Sequence, residues 1–133
     1  MNSNFEKIKN YIENNTCSMV ELEKLLTSIP ALAPENGGDG EEKKCAALEN
    51  WLLSNGIKNL KHYDAPDSRV PAGLRPNLVA EIPGEKNDFC IWVCAHLDVV
   101  PVGELSRWNT NPWQAVEKDG KIFGRGVEDN QQG

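Results

Sequence analysis

The sequence lacks a basic stripe. Its 14 Lys and Arg are outnumbered by 20 Asp and Glu, for a net charge of −6. The one adjacent basic pair, Lys43-Lys44, directly follows Glu41-Glu42. Non-specific binding to a phosphate backbone needs clustered cations, so nucleic acid is not an expected partner; the acidity reports solubility instead. Long apolar runs are missing too. The longest extends only from Phe89 to Ala95, far short of the roughly 20 residues that span a bilayer, and no membrane partner is expected. The first twenty residues carry Glu6, Lys7, Lys9 and Glu13, which leaves no apolar core for a secretion signal. The expected setting is therefore cytoplasmic. The four cysteines (Cys17, Cys45, Cys90 and Cys94) form no CxxC pair, and they read as reduced, mostly buried thiols. Gly124-Arg125-Gly126 lacks the third glycine of a dinucleotide fingerprint, and no P-loop lysine follows it. Neither internal repeats nor low-complexity tracts occur.

What is present is an ordinary globular composition over 133 residues, a length that suits one domain. Phe5, Ile8 and Ile12 recur at helical spacing over residues 4–15. Ser18-Met19-Val20-Glu21 reads as a capping box that opens a second helix. Leu22, Leu25, Leu26 and Ile29 line one face of that helix, and Pro30 ends it. After a Pro- and Gly-rich loop over 30–40, Asp39 is placed to cap a third helix. The apolar face of this helix is Cys45, Leu48, Trp51 and Leu52, and Gly56 follows where a helix C-terminus favours glycine. Strand signals come next, at 57–63 and at 77–82. Residues 88–96 are apolar on both faces, as expected of a buried central strand. Residues 114–123 pattern as a hairpin with its turn at Asp119-Gly120. Helices and strands in this arrangement predict an α/β layer architecture.

One constellation carries chemistry. The chain has two histidines, His62 and His96. His96 stands at the C-terminal end of the expected central strand, where open α/β sheets place their sites. Asp98 lies two residues on and so projects to the same side, where a carboxylate can orient an imidazole and raise its basicity. Such a pair also occurs as a purely structural hydrogen bond at a strand end. Farther on, Gly124-Arg125-Gly126 allows a tight backbone path before Glu128 and Asp129, acids that suit a metal or a helix N-terminus alike. Between them, Trp108-Asn109-Thr110-Asn111-Pro112-Trp113 reads either as a binding wall or as a packed loop.

Taken together, His96-Leu97-Asp98-Val99-Val100-Pro101, Trp108, Pro112-Trp113, Asp119-Gly120-Lys121, Gly124-Arg125-Gly126 and Glu128-Asp129 resemble one family. It is the family of zinc-dependent amidohydrolases and peptidases that includes acetylornithine deacetylase, succinyl-diaminopimelate desuccinylase, aminoacylase and carboxypeptidase G. Arg75 to Ala80 and Ala33-Pro34-Glu35-Asn36 add to the likeness. The resemblance implies the N-terminal part of a three-layer zinc-peptidase catalytic domain, with helices packed on a mixed sheet. It implies His96 as a ligand of one zinc ion, Asp129 as a carboxylate bridging two, and Asp98 as a catalytic residue that orients His96. The native ions would be two zincs, with cobalt or manganese as alternatives, and the Asp129–Asn130 peptide would be cis. The substrate would be an N-acyl amino acid or a small peptide, and the enzyme a homodimer. Where the family usually has a lysine after the aspartate this chain has Gln131, and the following glycine is displaced or replaced by Gln132. On this view residues 1–133 are the N-terminal portion of the catalytic domain. The other ligands, the general base and the dimerisation domain lie outside them, and the segment alone is inactive. The competing expectation is a non-catalytic α/β interaction module without metal, in which His96 and Asp129 lie far apart.

Overall fold

The computed structural model describes residues 3–86 and 88–131. Helix α1 runs from Asn4 to Thr27. Its first turn is capped by Ser3, whose side chain accepts from the Glu6 N–H at 3.3 Å. The helix is continuous through Ser18, so the expected second start there does not occur. No glycine or proline interrupts residues 4–27. The polar residues before Ser18 are satisfied within the helix: Asn15 donates to the Tyr11 carbonyl at 2.7 Å, and Thr16 to the Glu13 carbonyl at 3.0 Å. Phe5, Ile8 and Ile12 share a face that is exposed. Leu26 and Thr27, in the last turn, are buried.

Residues 28–41 turn the chain. Pro34–Asn36 forms a single tight turn, and Gly38 lies so close to Leu32 that a Cβ there would stand 2.1 Å from the Leu32 oxygen. Helix α2 spans Glu42–Ser54. The expected Asp39 cap is absent, and Glu41 occupies the capping position without a side-chain cap bond. Gly40, at φ +81°, separates Asp39 from the helix, and the Asp39 carboxylate instead lies 3.9 Å from Lys43 Nζ. The C-terminus follows expectation. Gly56 adopts φ +84°, its N–H reaches the Leu53 carbonyl at 3.1 Å, and the Ile57 N–H reaches Leu52 at 3.0 Å. This is the paired closure that a left-handed glycine permits.

Among the described residues the strands form three antiparallel pairs. Strand β1 (Leu60–His62) pairs with β4 (Leu78–Ala80), with Lys61 opposite Val79. Strand β2 (Ala65–Pro66) pairs with β3 (Leu74–Arg75). Strand β5 (Val116–Lys118) pairs with β6 (Lys121–Phe123). The last pair is the expected hairpin: Asp119 and Gly120 both have positive φ (52° and 71°), as the right-handed strand twist demands of a two-residue turn. A parallel bridge joins Leu32 to Val99, and the Val99 N–H donates to the Ala31 carbonyl at 2.9 Å. The fold is thus a mixed α/β arrangement whose core holds Leu26, Ala31, Cys45, Val70 and Val99.

Two expectations are corrected here. Residues 88–96 are not a buried central strand: Phe89, Ile91, Trp92 and Val93 are 69–82% exposed. A segment apolar on both faces is buried only between two layers and two neighbouring strands, and no described segment lies alongside it in a ladder. Of the cysteines only Cys45 is buried, while Cys17, Cys90 and Cys94 are exposed. Cys90 and Cys94 lie on that same uncovered segment.

The N-terminus of α2 is fastened to the β2–β3 hairpin by charge. Glu41 is buried, and its carboxylate accepts from both Nε and Nη2 of Arg75. Arg75 also faces Asp67 at 3.8 Å, and Asp67 in turn accepts from Arg69 at 2.7 and 2.8 Å. Arg69 reaches back to Glu35 in the preceding loop. The guanidinium of Arg69, with its backbone N–H, holds the Asp67 carboxyl far below the usual range.

Candidate metal centre

His96 follows the extended segment and precedes Val99, whose backbone is tied to Ala31. Its backbone N–H donates to the Asn130 side-chain oxygen at 3.0 Å. Its ring is held at both nitrogens. Nδ1 lies 2.9 Å from the Asp98 carbonyl oxygen and 3.3 Å from an Asp98 carboxylate oxygen. Nε2 lies 2.9 Å from Asp129 Oδ1. Donation from Nδ1 to the carbonyl would leave the Nε2 lone pair free for a metal ion, a common arrangement of metal-binding imidazoles, while the hydrogen bond to Asp129 itself requires a proton on Nε2. The Asp129 hydrogen bond is the main influence raising the His96 pKa; burial opposes it, and the Asp98 carbonyl and both carboxylate charges add to the rise.

Asp129 is delivered by a tight, irregular turn over Val127–Gln131. Asp129 (φ −117°, ψ 90°) and Asn130 (φ −140°, ψ 42°) leave the helical region, and the peptide between them is cis. The turn is anchored on both sides. The Gln131 N–H donates to the Gly126 carbonyl at 3.1 Å, and the Arg125 N–H to the Pro112 carbonyl at 2.7 Å. Thr27 Oγ1 donates to Gln131 Oε1 at 3.0 Å. Gly126, at φ +87°, is required here: a Cβ would stand 2.7 Å from Val99 Cγ1.

All three residues named from the sequence therefore meet: His96 touches Asp98 on one side and Asp129 on the other. Asp129 is turned toward the imidazole rather than serving only to cap a helix. The two tryptophans do not act as a matched pair. Trp108 Nε1 donates to the Val102 carbonyl at 2.9 Å, and the Arg125 guanidinium sits 5.2 Å from its ring centre, so Trp108 belongs to a packed loop. Trp113 follows the Asn111 turn, with its N–H on Asn111 Oδ1 at 3.0 Å. The expected displacement of the family glycine to Gln132 or Gly133 lies outside the described residues.

Three participants were given no side-chain role from sequence. Asn130 holds the His96 backbone, and Gln131 ties the acidic turn to α1. The third is Lys44, which is 1% exposed and lines, with Leu26, Leu48, His96 and Asp98, a cavity of about 230 Å³. Burial pushes the Lys44 pKa down to about 8, against the opposing charges of Asp98 and Glu41. One signal for Lys44 was available: it lies four residues before Leu48, on the apolar stripe of α2. Asn130 and Gln131 had no such signal, because their role depends on where the turn folds back.

The donor chemistry fits a divalent metal. An imidazole nitrogen and a carboxylate oxygen are both ordinary zinc ligands, and two ligands of one tetrahedral zinc stand about 3.3 Å apart, given bonds of 2.0–2.1 Å. The observed separation is 2.9 Å. Among the described residues, no group of three or more His, Cys, Asp and Glu side chains converges to hold an ion.

Comparison with known proteins finds a family likeness over the C-terminal third of the chain. Residues 92–133 match peptidase family M20/M25/M40. Over that stretch the chain is similar to this peptidase family. It is 40% identical over 121 residues to an uncharacterized metallohydrolase of Methanocaldococcus jannaschii, an alignment covering 86% of this chain and 28% of that protein. A second metallohydrolase, from Methanococcus maripaludis, matches to the same extent. The succinyl-diaminopimelate desuccinylase of Delftia acidovorans is 35% identical over 112 residues, covering 83% of this chain and 26% of the relative. The chain thus spans about a quarter of the length of the curated relatives it matches. The stretch matched to this peptidase family includes His96, Asp98 and Asp129.

Proposed function

We propose that the protein is a metal-dependent hydrolase that cleaves the amide bond of an N-acyl amino acid or small peptide, with His96 and Asp129 as metal ligands. The observation that carries this reading is the 2.9 Å contact between His96 Nε2 and Asp129 Oδ1 across 33 residues of sequence. The names of the relatives support hydrolysis with a metal; two zinc ions and the amide substrate rest on the family resemblance. When bound, such ions acidify a water and polarise the scissile carbonyl.

The chain's own residues have defined tasks in this scheme. His96 presents Nε2 in the ligand tautomer because Nδ1–H is committed to Asp98. Asp98 supplies negative charge behind the ring and raises its basicity as a donor. Asn130 and Gln131 hold the turn so that the Asp129 carboxylate reaches the imidazole. Catalytic zinc normally has three or more protein ligands, so residues 1–133 with His96 and Asp129 alone are proposed to be inactive. The remaining parts of the reading are a homodimer acting on a small molecule in the cytoplasm, without a nucleic-acid or membrane partner. They stand on the resemblance, the charge and the apolar pattern. Among the described residues no helix is long and apolar enough to cross a membrane.

The test is amide hydrolysis by the full-length gene product, with succinylated and acetylated amino acids and dipeptides as substrates. Turnover that a chelator abolishes, that zinc restores and that His96→Ala eliminates is expected. Full turnover in His96→Ala would sink the proposal. The alternative of a metal-free interaction module requires His96 and Asp129 to lie apart, and their contact counts against it.

A further inference from the structure

A lysine ammonium is almost never fully buried unless it is paired, and Lys44 is 1% exposed. Among the described residues no carboxylate lies within 4.0 Å of its ammonium. The negative charges of Asp98 and Glu41 act on it, opposing the effect of burial. Glu41 is already committed, because its two oxygens accept from two nitrogens of Arg75. Asp98 has the imidazole of His96 3.3 Å away, and the other cation whose charge reaches it, Arg75, is already engaged by Glu41. Lys44 and Asp98 line the same 230 Å³ cavity, with the apolar walls of Leu22, Leu26 and Leu48 around the lysine. Those walls lower the local dielectric and lengthen the reach of its charge.

We propose that Lys44 is a positioning residue that holds the Asp98 carboxylate behind His96, so that the order Lys44, Asp98, His96, Asp129 forms one line of alternating charge through the site. The inference rests on the reading of His96 and Asp129 as metal ligands and extends it to a residue of α2, 52 positions before His96 in the sequence. Lys44 touches no reacting atom. Its effect passes through Asp98, whose carboxylate would otherwise be free to swing away from Nδ1 into solvent, since its side chain is 45% exposed. A buried cation with no close partner has a desolvation cost. Replacing it with an apolar residue of similar length should therefore leave folding intact while releasing Asp98.

The experiment is zinc titration by calorimetry of the full-length gene product as wild type, Lys44→Met, Asp98→Asn and the double variant, with steady-state kinetics alongside. Loss of an outer partner of a metal ligand typically costs 10–100-fold in affinity or activity. Lys44→Met is expected to weaken zinc binding and lower kcat by about 10-fold, with KM changed less than about threefold, and Lys44→Arg to recover most of the loss. Because Lys44 acts through Asp98, the double variant should bind zinc no more weakly than Asp98→Asn alone. Two results overturn the proposal: zinc affinity and kcat of Lys44→Met within about twofold of wild type, or losses that multiply in the double variant. Should Lys44→Met fail to fold, thermal midpoints of Asp98→Asn and the double variant decide. Loss of the carboxylate strands the buried ammonium, so adding Lys44→Met to Asp98→Asn should raise the midpoint, and no rise refutes the coupling. Wild type that binds no zinc would sink the metal reading, and the same midpoint comparison would still decide the Lys44–Asp98 pair.

Discussion

Thr27, in the last turn of the first helix, donates its hydroxyl to the side-chain oxygen of Gln131 at 3.0 Å, across 104 residues of sequence. Thr27 is 1% exposed, and Gln131 directly follows Asn130, whose side chain holds His96. The helix end therefore carries the acidic turn, and the turn carries Asp129 to the imidazole. Thr27→Val keeps the shape and removes the donor, leaving the Gln131 oxygen without its partner. It should cost about 1–3 kcal/mol, read by chemical denaturation of the full-length gene product. It should also weaken zinc binding, because Asp129 loses its anchor. Unchanged stability and unchanged zinc affinity would refute the anchoring role.

The Gly126 conformation is a second point of support. At φ +87°, with Val99 Cγ1 only 2.7 Å from where a Cβ would sit, Gly126→Ala meets both backbone strain and overlap. The backbone term alone is about 1–2 kcal/mol. The overlap adds to it, so a total loss of about 2–4 kcal/mol is expected. Denaturant midpoints measure it, and a loss below the backbone term would show that the turn relaxes freely.

If Asp129 is a metal ligand, as proposed, its removal should cost more than removal of its supporters. Asp129→Asn keeps the size of the side chain but removes the negative charge of the donor pair. Zinc affinity is expected to fall by at least the 10–100-fold typical of outer-shell changes, measured by competition with a chromogenic chelator. A smaller loss than that of Asp98→Asn would reverse the assigned roles.

The salt bridge of Arg75 with buried Glu41 is not interchangeable with its absence. Arg75→Ala leaves a carboxylate 5% exposed without its two-pronged partner. Breaking a buried pair from one side typically costs about 3–5 kcal/mol. Thermal melting of the variant at neutral pH should show that loss, and melting near pH 3 should show less of it, since protonation then relieves the stranded charge. An equal loss at both pH values would contradict the charge explanation.

His62 supplies a pH dependence away from His96 and Asp129. Its Nε2 lies 3.2 Å from Glu49 and its Nδ1 3.3 Å from Asp64. Its pKa is raised chiefly by the Glu49 hydrogen bond, against a smaller opposing effect of burial and with help from Asp64. The folded state thus holds the proton more tightly than the unfolded chain does. The stabilisation is complete below the ordinary value of 6.5 and is lost as pH rises through the raised one. The ring is 40% exposed, so solvent screening limits the effect to about 0.5 kcal/mol. His62→Gln should flatten the stability profile just above pH 6.5 and leave it unchanged above pH 9.

Much of the local structure was legible in the sequence because it depends on neighbours along the chain. The Asp119-Gly120 hairpin and the Gly56 helix ending follow from backbone preferences within a few residues, and both occur as expected. His96, Asp98 and Asp129 were also named from side-chain chemistry and motif order, and the structure brings them together. Errors arose where two local signals competed or where burial was inferred. Ser18-Met19-Val20-Glu21 has the pattern of a capping box but sits inside α1, because an uninterrupted helix satisfies the same backbone groups with its own carbonyls. Residues 88–96 have the pattern of a buried strand, but pattern states only what a segment requires, and burial depends on what lies against it.

The sequence by itself determined which residues can do chemistry and where the Asp119-Gly120 turn and the Gly56 helix ending fall. Only the tertiary structure decided which of them meet. The 2.9 Å between His96 and Asp129, the hold of Thr27 on Gln131 and the burial of Lys44 beside Asp98 all join segments from 33 to 104 residues apart. Contacts at such separation come from loop closure and packing of whole elements, a contribution that no local propensity encodes.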